Sequence, residues 1–284
     1  MFVVAGVTGH TGKVVAETLL AQSVPVRVIV RDAKKGEPWK AKGAEVAIAE
    51  ITDVKAMTQA LRGAKGAYLL APSDFGVTDV TARARQVGTA LKAAIAESGV
   101  GHVVFLSSIG AQHASGTGPI ATIHLIEALF SELTAHVTFL RAGYFFENLL
   151  GNVHPMKEQG VLPAMFDGQR KVEMVATADI GALAAELLRA GASAPKVVEL
   201  SGPTATTLAD AAKVFSAQLK KPIALAPVPA SAQVGVLTGV GLNEAWARAY
   251  TEMNAALDSG KVACVGTPRR GLITLEQFVA RALS

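Results

Sequence analysis

The chain has 284 residues, of which 50% are hydrophobic and 18% charged, with a formal net charge of +4 and one cysteine, Cys264. This composition predicts a compact globular protein and excludes extensive disorder. The weak, scattered positive charge does not indicate nucleic-acid binding, and a lone cysteine forms no intrachain disulfide. No apolar run reaches the roughly 18 residues that span a bilayer. We therefore expect a cytoplasmic protein without nucleic-acid or membrane partners.

Short apolar runs alternate with longer segments of helical periodicity, which is typical of parallel strands joined by crossover helices. The predicted strands cover residues 2–5, 26–30, 45–48, 66–71, 102–106 and 137–140. The predicted helices cover residues 11–22, 34–42, 53–61, 80–98 and 120–133. The first run leads directly into a glycine motif, so we interpret it as a strand rather than a signal peptide. The pattern predicts an α/β fold of Rossmann type, a doubly wound parallel sheet with helices on both faces.

The regular pattern ends after Arg141, and a segment rich in Gly, Pro and aromatic residues follows between Gly143 and Gly168. We interpret this segment as an inserted lid or pocket wall. Asp179 is predicted to be the N-cap of a helix that ends at Arg189. A further strand is predicted at 197–200, and helices at 208–219, 244–257 and 275–283. The predicted units are a dinucleotide-binding domain of residues 1–145 plus about 170–202, and a smaller, mostly helical substrate lobe of residues 146–169 and 203–284.

The segment from Gly6 to Gly12 has the pattern G-x-x-G-x-x-G, directly after a predicted strand and at the start of a helix. Gly6 permits a sharp exit from the strand, Gly9 permits close approach of a pyrophosphate, and Gly12 permits tight helix packing. The unpaired amides of the helix start hold that anion without a cationic side chain. The alternative is a tight turn that binds nothing. The predicted cofactor-binding residues of this segment are Gly6, Thr8, Gly9, His10, Thr11 and Gly12.

Arg31 follows the second predicted strand, about 20 residues after the glycine turn. An NAD-preferring site places a carboxylate there on the ribose 2′-hydroxyl, whereas a guanidinium pairs with a 2′-phosphate. Lys34 and Lys35 add positive charge, although at least one of them is expected to be only a solvated residue at the start of a helix. Asp32 either caps that helix or reaches the ribose. We therefore predict NADPH as the cofactor, with NADH binding more weakly.

These residues bring out a resemblance to the NmrA-like group of atypical short-chain dehydrogenases, over essentially the whole length. It is carried by the glycine turn and by five further segments of the sequence. Those segments are Val30-Arg31-Asp32, Tyr68-Leu69-Leu70-Ala71-Pro72-Ser73, Phe105-Leu106-Ser107-Ser108-Ile109-Gly110-Ala111, Leu140-Arg141-Ala142-Gly143-Tyr144-Phe145-Phe146-Glu147-Asn148-Leu149 and Asp179-Ile180-Gly181. Members of the group include NADPH-dependent reductases of quinones, azo dyes and triphenylmethane dyes, and regulators that bind the dinucleotide without turnover.

The resemblance implies roles for residues that follow the predicted strands. Glu50 and Ile51 would flank the adenine, Ala71 and Pro72 would line the ribose side of the cofactor, and Ser107 and Ser108 would approach the nicotinamide ribose. The backbone of Gly143, Tyr144 and Phe145 would meet the nicotinamide, and Asn148 would face the substrate. The alternatives are a cap or turn hydroxyl for each serine and a packed aromatic side chain for Tyr144.

Active short-chain dehydrogenases usually carry Tyr-x-x-x-Lys, in which the lysine lowers the tyrosine pKa for proton transfer. The three tyrosines here, Tyr68, Tyr144 and Tyr250, are followed four residues later by Pro72, Asn148 and Asn254. Reduction of a ketone without an acid leaves a high-energy alkoxide, whereas a reduced quinone or dye delocalises its charge. The missing pair therefore favours a planar aromatic acceptor over a simple alcohol or ketone.

Asn148, Tyr144 and His124 are the candidate catalytic residues. His124 lies in the helix where the missing pair would stand, and its alternative is a partly buried structural histidine. No histidine spacing matches a metal motif, so we predict no metal, and no flavin is needed. An apolar acceptor slot or ordinary lobe core is predicted for Phe145, Phe146, Leu149, Leu150, Met156, Leu162, Met165 and Phe166.

Two functional hypotheses follow from the sequence, and a third, imine or carbonyl reduction for biosynthesis, would need an acid that the sequence does not offer. The first is an NADPH-dependent reductase that transfers hydride to a small planar aromatic substrate, a quinone, azo dye or triphenylmethane dye, by positioning more than by acid–base chemistry. The second is a non-catalytic redox sensor whose NADP(H) occupancy alters a contact with a regulatory partner. The chain is expected to be a monomer or a homodimer.

Overall fold

The computed structural model describes residues 1–284. Its strands are β1 (Phe2–Val4), β2 (Val26–Val30), β3 (Glu45–Ile48), β4 (Gly66–Leu69), β5 (His102–Ser108), β6 (His136–Ala142), β7 (Tyr144–Phe145), β8 (Val161–Ala164), β9 (Met174–Val175), β10 (Val197–Ser201), β11 (Ala224–Pro227) and β12 (Arg269–Arg270). Its α-helices are α1 (His10–Ala21), α2 (Ala33–Ala41), α3 (Val54–Leu61), α4 (Val80–Ser98), α5 (Pro119–Phe130), α6 (Val153–Gln159), α7 (Thr177–Ala190), α8 (Leu208–Leu219), α9 (Ala230–Gly239), α10 (Glu244–Ser259) and α11 (Leu275–Ala282). Two short 3-10 helices cover Phe146–Asn152 and Gly191–Ser193.

Eight strands form one parallel sheet in the order β12-β10-β6-β5-β4-β1-β2-β3. β1 lies between β2 and β4, so the chain winds outward in both directions from it. A sheet of this kind has a crevice at the carboxyl ends of its strands, where the winding reverses. The predicted doubly wound Rossmann-type sheet is confirmed, with β12 as an additional strand at one edge.

The strands alternate their side chains between two apolar layers, because successive residues of a strand point to opposite faces. Val4 and Val28 pack with α1 and α7 on one face. Val3 and Ile29 pack with α3, α4 and α5 on the other. A third apolar core joins residues of the 146–176 segment to α8, α10 and α11. This third core underlies the C-terminal lobe, and its separation as a domain remains a prediction.

Several elements differ from the predicted ones. β5 extends two residues beyond its predicted end, to Ser108, whereas β4 stops at Leu69. The helix predicted to reach residue 133 ends at Phe130. Helix α9 was missed because two glycines and scattered apolar residues give it no apolar stripe. The other missed elements are α6, β7, β8, β9, β11 and β12.

The prediction that Asp179 is an N-cap is wrong. Helix α7 begins at Thr177, and Asp179 lies in its first turn, where it accepts the amides of Leu272 and Ile273 at 3.1 and 3.0 Å. The amide at the start of α7 instead donates a hydrogen bond to a side chain from a distant segment of the sequence. The carboxylate of Glu147 accepts hydrogen bonds from the Thr177 amide, with nitrogen and oxygen 3.0 Å apart, and from the Thr177 hydroxyl, with the two oxygens 2.5 Å apart. A remote carboxylate thus replaces the local cap that sequence patterns detect.

His102 opens β5 at the amino edge of the sheet, with only 2% of its surface exposed. Its ring lies 5.4 Å from that of His136, and its Nε2 lies 3.3 Å from the Thr138 hydroxyl. Burial, with a smaller contribution from His136, lowers the pKa of His102 to about 4.

We expect this histidine to make the protein acid-sensitive. The unfolded chain takes up the proton near pH 6.5, whereas the folded chain resists it down to about pH 4. The free energy of unfolding therefore falls as the pH drops through this window, by about 2 kcal/mol between pH 7 and pH 5. Urea unfolding of the wild type and of His102→Leu at both pH values measures this, and the variant should lack this share of the loss. An equal pH dependence in both proteins would contradict the assignment.

No helix of the structure combines the length and the apolar character needed to cross a bilayer. Nowhere do three or more His, Cys, Asp or Glu side chains converge as the ligands of a metal ion would.

Candidate functional site

The parallel sheet places the predicted site residues along one edge. The glycine turn follows β1, Arg31 follows β2, and Glu50 and Ile51 follow β3. Ala71 and Pro72 come after β4, Ser107 and Ser108 end β5, and Gly143, Tyr144 and Phe145 come after β6. All these strands run in the same direction, so their carboxyl ends share an edge of the sheet. Residues from six separate stretches of the sequence therefore lie along the same edge of the sheet.

Two glycines of the turn are required by the local geometry. Gly6 has φ +70°, a left-handed conformation that residues with a Cβ rarely adopt. A Cβ on Gly12 would lie 2.5 Å from the backbone oxygens of both Ala5 and Gly6. The first turn of α1 therefore packs directly on the chain that leaves β1. Gly9 adopts extended backbone as the N-cap.

The start of α1 leaves backbone amides available to an anion. No side chain caps this helix, and the amides of His10, Thr11 and Gly12 donate to no group of the chain. The Thr11 side chain points inward, since its hydroxyl accepts a 2.9 Å hydrogen bond from the Tyr68 hydroxyl in the core. Thr8, Gly9 and His10 are exposed. These residues fit a pyrophosphate bound through amides at a positive helix end, with Thr11 contributing its backbone only.

The charges beyond β2 also fit an anionic ligand. Arg31 and Lys35 are exposed, and neither side chain forms an ion pair or hydrogen bond within the protein. Asp32 is already engaged, because its carboxylate caps α2 by accepting the Lys34 amide at 2.9 Å. Cationic side chains without acidic partners suit a ribose phosphate better than a neutral hydroxyl. Glu50, beyond β3, accepts the amide of Ile51 at 3.1 Å.

Ser107 belongs to a buried ionic network that the sequence did not reveal. Its hydroxyl donates to Glu127 of α5 at 2.5 Å, and Arg141 of β6 binds the same carboxylate through Nε at 3.0 Å and a terminal nitrogen at 2.6 Å. Ser107 and Arg141 are register partners on adjacent strands. Only 8% of the Glu127 side chain is exposed. The Ser107 hydroxyl thus faces this ion pair, whereas Ser108 is partly exposed at the edge of the crevice.

Tyr144 is a weak acid in this environment. Burial raises the pKa of Tyr144 to about 12, the nearby Tyr250 adds to the rise, and the Asn148 side chain opposes it to a smaller extent. The Tyr144 ring packs edge-on against Phe166 with centroids 6.0 Å apart. Asn148 is exposed on the 3-10 helix that follows. The structure therefore brings Tyr144 and Asn148 together but gives the phenol none of the activation that a lysine supplies.

His124 has a structural contact. Its Nδ1 lies 2.8 Å from the carbonyl of Ala111, so the ring donates to the segment after β5. The groove beside it is lined by Thr81, Arg85 and Glu252 among others, and by no other predicted site residue. None of these contacts joins His124 to Tyr144 or Asn148.

The predicted apolar slot divides into two sets. Phe146, Leu149, Met156, Leu162 and Phe166 are each at most 6% exposed and form the core of the C-terminal lobe. Phe145, Leu150 and Met165 are partly exposed.

Sequence reasoning missed a second aromatic group. Trp246 lies 4.9 Å from Phe75 and 6.0 Å from Tyr250, as measured between ring centroids. Trp246 and Tyr250 lie one turn apart on α10, but only the fold brings them beside Phe75 of the β4–α4 connection.

Comparison with known proteins identifies the family. The model of the NmrA-like family matches residues 1–264. The chain belongs to the NmrA-like family.

Two curated relatives are similar over most of their length. An NAD(P)H azoreductase of Xenophilus azovorans is 28% identical over 255 residues, which are 90% of this NmrA-like chain and 86% of that protein. Quinone oxidoreductase 2 of Escherichia coli is 29% identical over 267 residues, 92% of this chain and 89% of that protein. Among solved structures, the NADPH-dependent quinone oxidoreductase of E. coli in complex with NADPH is 27% identical, with a TM-score of 0.83 and both chains covered completely.

Proposed function

We propose that this NmrA-like protein is an NADPH-dependent reductase that passes hydride to a planar aromatic acceptor, such as a quinone, an azo dye or a triphenylmethane dye. One arrangement carries the proposal: a helix start with free amides lies at the reversal point of the sheet, beside two unpaired cationic side chains. The names of the azoreductase and quinone oxidoreductase relatives support the reaction class.

Different residues of the chain would bind different parts of NADPH. The amides of His10, Thr11 and Gly12 would hold the pyrophosphate, and Arg31 and Lys35 the 2′-phosphate. Ala71, Pro72, Ser108 and the backbone of residues 143–145 would line the ribose and nicotinamide. Bound NADPH supplies the hydride. We infer that neither a flavin nor a metal takes part.

The acceptor class follows from the missing acid. With a pKa of about 12, the Tyr144 phenol gives up its proton reluctantly at neutral pH. The chain would therefore act by holding an acceptor flat beside the nicotinamide, with Asn148 as a polar anchor and the partly exposed apolar side chains as walls. Acceptors that delocalise the added charge need no enzymic proton donor in that step.

Steady-state oxidation of NADPH with a panel of quinones, azo dyes and triphenylmethane dyes tests the proposal. We expect turnover with at least one class and none with simple ketones. Tight NADP(H) binding without turnover across the panel would refute the reductase. That result would favour the redox sensor instead. Recovery of a regulatory protein partner by pull-down would then support the sensor.

Arg31→Ala tests the choice of cofactor. Loss of a guanidinium-to-phosphate contact should raise KM for NADPH roughly tenfold and leave KM for NADH unchanged. Arg62→Ala is the control, because it also removes one positive charge. Arg62 precedes β4 and so lies at the opposite edge of the sheet from Arg31. An unchanged KM for NADPH in Arg31→Ala would show that the 2′-phosphate is recognised elsewhere.

A further inference from the structure

The loop between β4 and α4, residues 70–79, is attached to helix α10 of the C-terminal lobe. The side-chain amide of Asn243, the N-cap of α10, donates to the carbonyls of Phe75 and Val77 at 2.7 and 2.8 Å. The indole Nε1 of Trp246 donates to the carbonyl of Asp74 at 2.9 Å. No other backbone group between residues 71 and 78 forms a hydrogen bond outside the loop. Between residues 71 and 78, two side chains thus form all the hydrogen bonds that join the loop backbone to the rest of the protein.

Ala71, at the start of this loop, packs against the apolar layer formed by α3, α4 and α5, but hydrogen bonds between the loop and its own domain are sparse. Its one internal main-chain hydrogen bond joins the Val77 amide to the Asp74 carbonyl at 3.2 Å. A cavity of about 150 Å³ is lined by Pro72, Arg83 of α4 and Ile123 of α5. The main tie to α4 is a side-chain ion pair, in which Asp74 and Arg83 lie 3.2 Å apart. The part of the loop that follows Ala71 is therefore held mainly by α10 of the C-terminal lobe.

Trp246 is a firm support for the loop. It is 5% exposed, and its ring contacts both Phe75 and Tyr250. Asn243 is itself fixed, because its side-chain oxygen accepts the Trp246 amide at 3.0 Å as the helix cap. The same amide group therefore caps α10 with its oxygen and holds the loop with its nitrogen.

We propose that Asn243 and Trp246 are positioning residues for the cofactor, which hold the β4–α4 loop in the conformation that presents Ala71 and Pro72 to the ribose side of NADPH. This inference rests on the proposed NADPH binding. Neither side chain needs to touch the cofactor, because both act through the loop backbone. The C-terminal lobe then contributes to cofactor affinity as well as to the acceptor site.

Three variants separate this role from general stability. Asn243→Ser keeps a neutral oxygen that caps α10 but lacks the amide donors. Trp246→Phe keeps an aromatic ring but lacks the indole N–H. Thr274→Ala is the control, since it removes the cap of α11 in the same lobe without touching the loop. The measurements are the rate of chymotryptic cleavage after Phe75, which is 49% exposed, KM for NADPH with kcat, and the Tm of each protein.

Asn243→Ser should be cleaved after Phe75 about tenfold faster than the wild type without cofactor, and its KM for NADPH should rise about tenfold with kcat nearly unchanged. Trp246→Phe should change both quantities in the same direction, and NADPH should slow cleavage in every protein. Thr274→Ala should lower Tm and change neither cleavage nor KM.

The proposal would be overturned if Asn243→Ser and Trp246→Phe kept the wild-type cleavage rate and the wild-type KM for NADPH. It would also be overturned if Thr274→Ala changed both quantities as much as those two variants do. Failure of the wild type to bind NADPH would instead refute the proposed function. The cleavage rates without cofactor would still show whether Asn243 and Trp246 hold the loop.

Discussion

Gly12→Ala is expected to weaken NADPH binding by about 100-fold. The new methyl group would lie 2.5 Å from two backbone oxygens, those of Ala5 and Gly6, and no flexible side chain is there to move aside. The first turn of α1 must shift away from β1, and its amides then lose their common orientation toward the pyrophosphate. We also expect the free energy of unfolding to fall by about 2 kcal/mol from overpacking. Calorimetric titration with NADPH measures the affinity.

Gly235→Ala is the matched control for this substitution. Gly235 lies within helix α9, and a Cβ there meets no atom within 4 Å. Alanine at an open helical position is neutral or slightly stabilising. Retention of NADPH affinity in Gly12→Ala would show that the start of α1 does not bind the dinucleotide.

Glu127→Gln is expected to lower the free energy of unfolding by about 4 kcal/mol. The Arg141 guanidinium would remain buried between β6 and α5 without its bidentate partner, since only 12% of its side chain is exposed. The nearest remaining carboxylate, Glu199 on β10, accepts the amides of Val265 and Gly266 instead. Ser107 would also lose its carboxylate acceptor. Urea unfolding at pH 7 measures the loss.

Glu132→Gln provides the control for removal of one carboxylate. Glu132 pairs with Lys92 at the surface, where 66% of its side chain is exposed, so its removal should change stability by less than about 1 kcal/mol. The double variant Glu127→Met, Arg141→Met should regain much of the loss, because apolar side chains of similar size replace the buried pair. Equal stability of Glu127→Gln and the wild type would contradict this account.

The sheet could be predicted from the sequence because its determinants are local. Val3 and Val4 alternate between two faces, and the glycine turn marks the exit from β1. Residues at strand ends could then be placed together, since parallel strands share an edge. The roles assigned to those residues stay predictions, because the fold fixes their neighbourhood and not their ligand.

The missed features depend on contacts between distant parts of the chain. The pairing of Glu127 with Arg141 requires the register of β5 on β6 and the way α5 packs across them. Asn243 contacts Phe75 across 168 residues of sequence. The cap of α7 comes from Glu147, 30 residues before Thr177. Patterns within one segment carry no information on such partners.

The two edge strands of the main sheet affect how this protein can associate with other chains. At one border β12 has only two residues, and Arg269 and Arg270 pair there with Glu186 and Glu173. At the other, β3 has four residues and opens with Glu45, whose carboxylate binds Arg27. Short, charged edges offer little unpaired backbone to an incoming strand, which disfavours β-augmentation and amyloid-like stacking. Self-association of the folded protein is therefore expected to use helical surfaces.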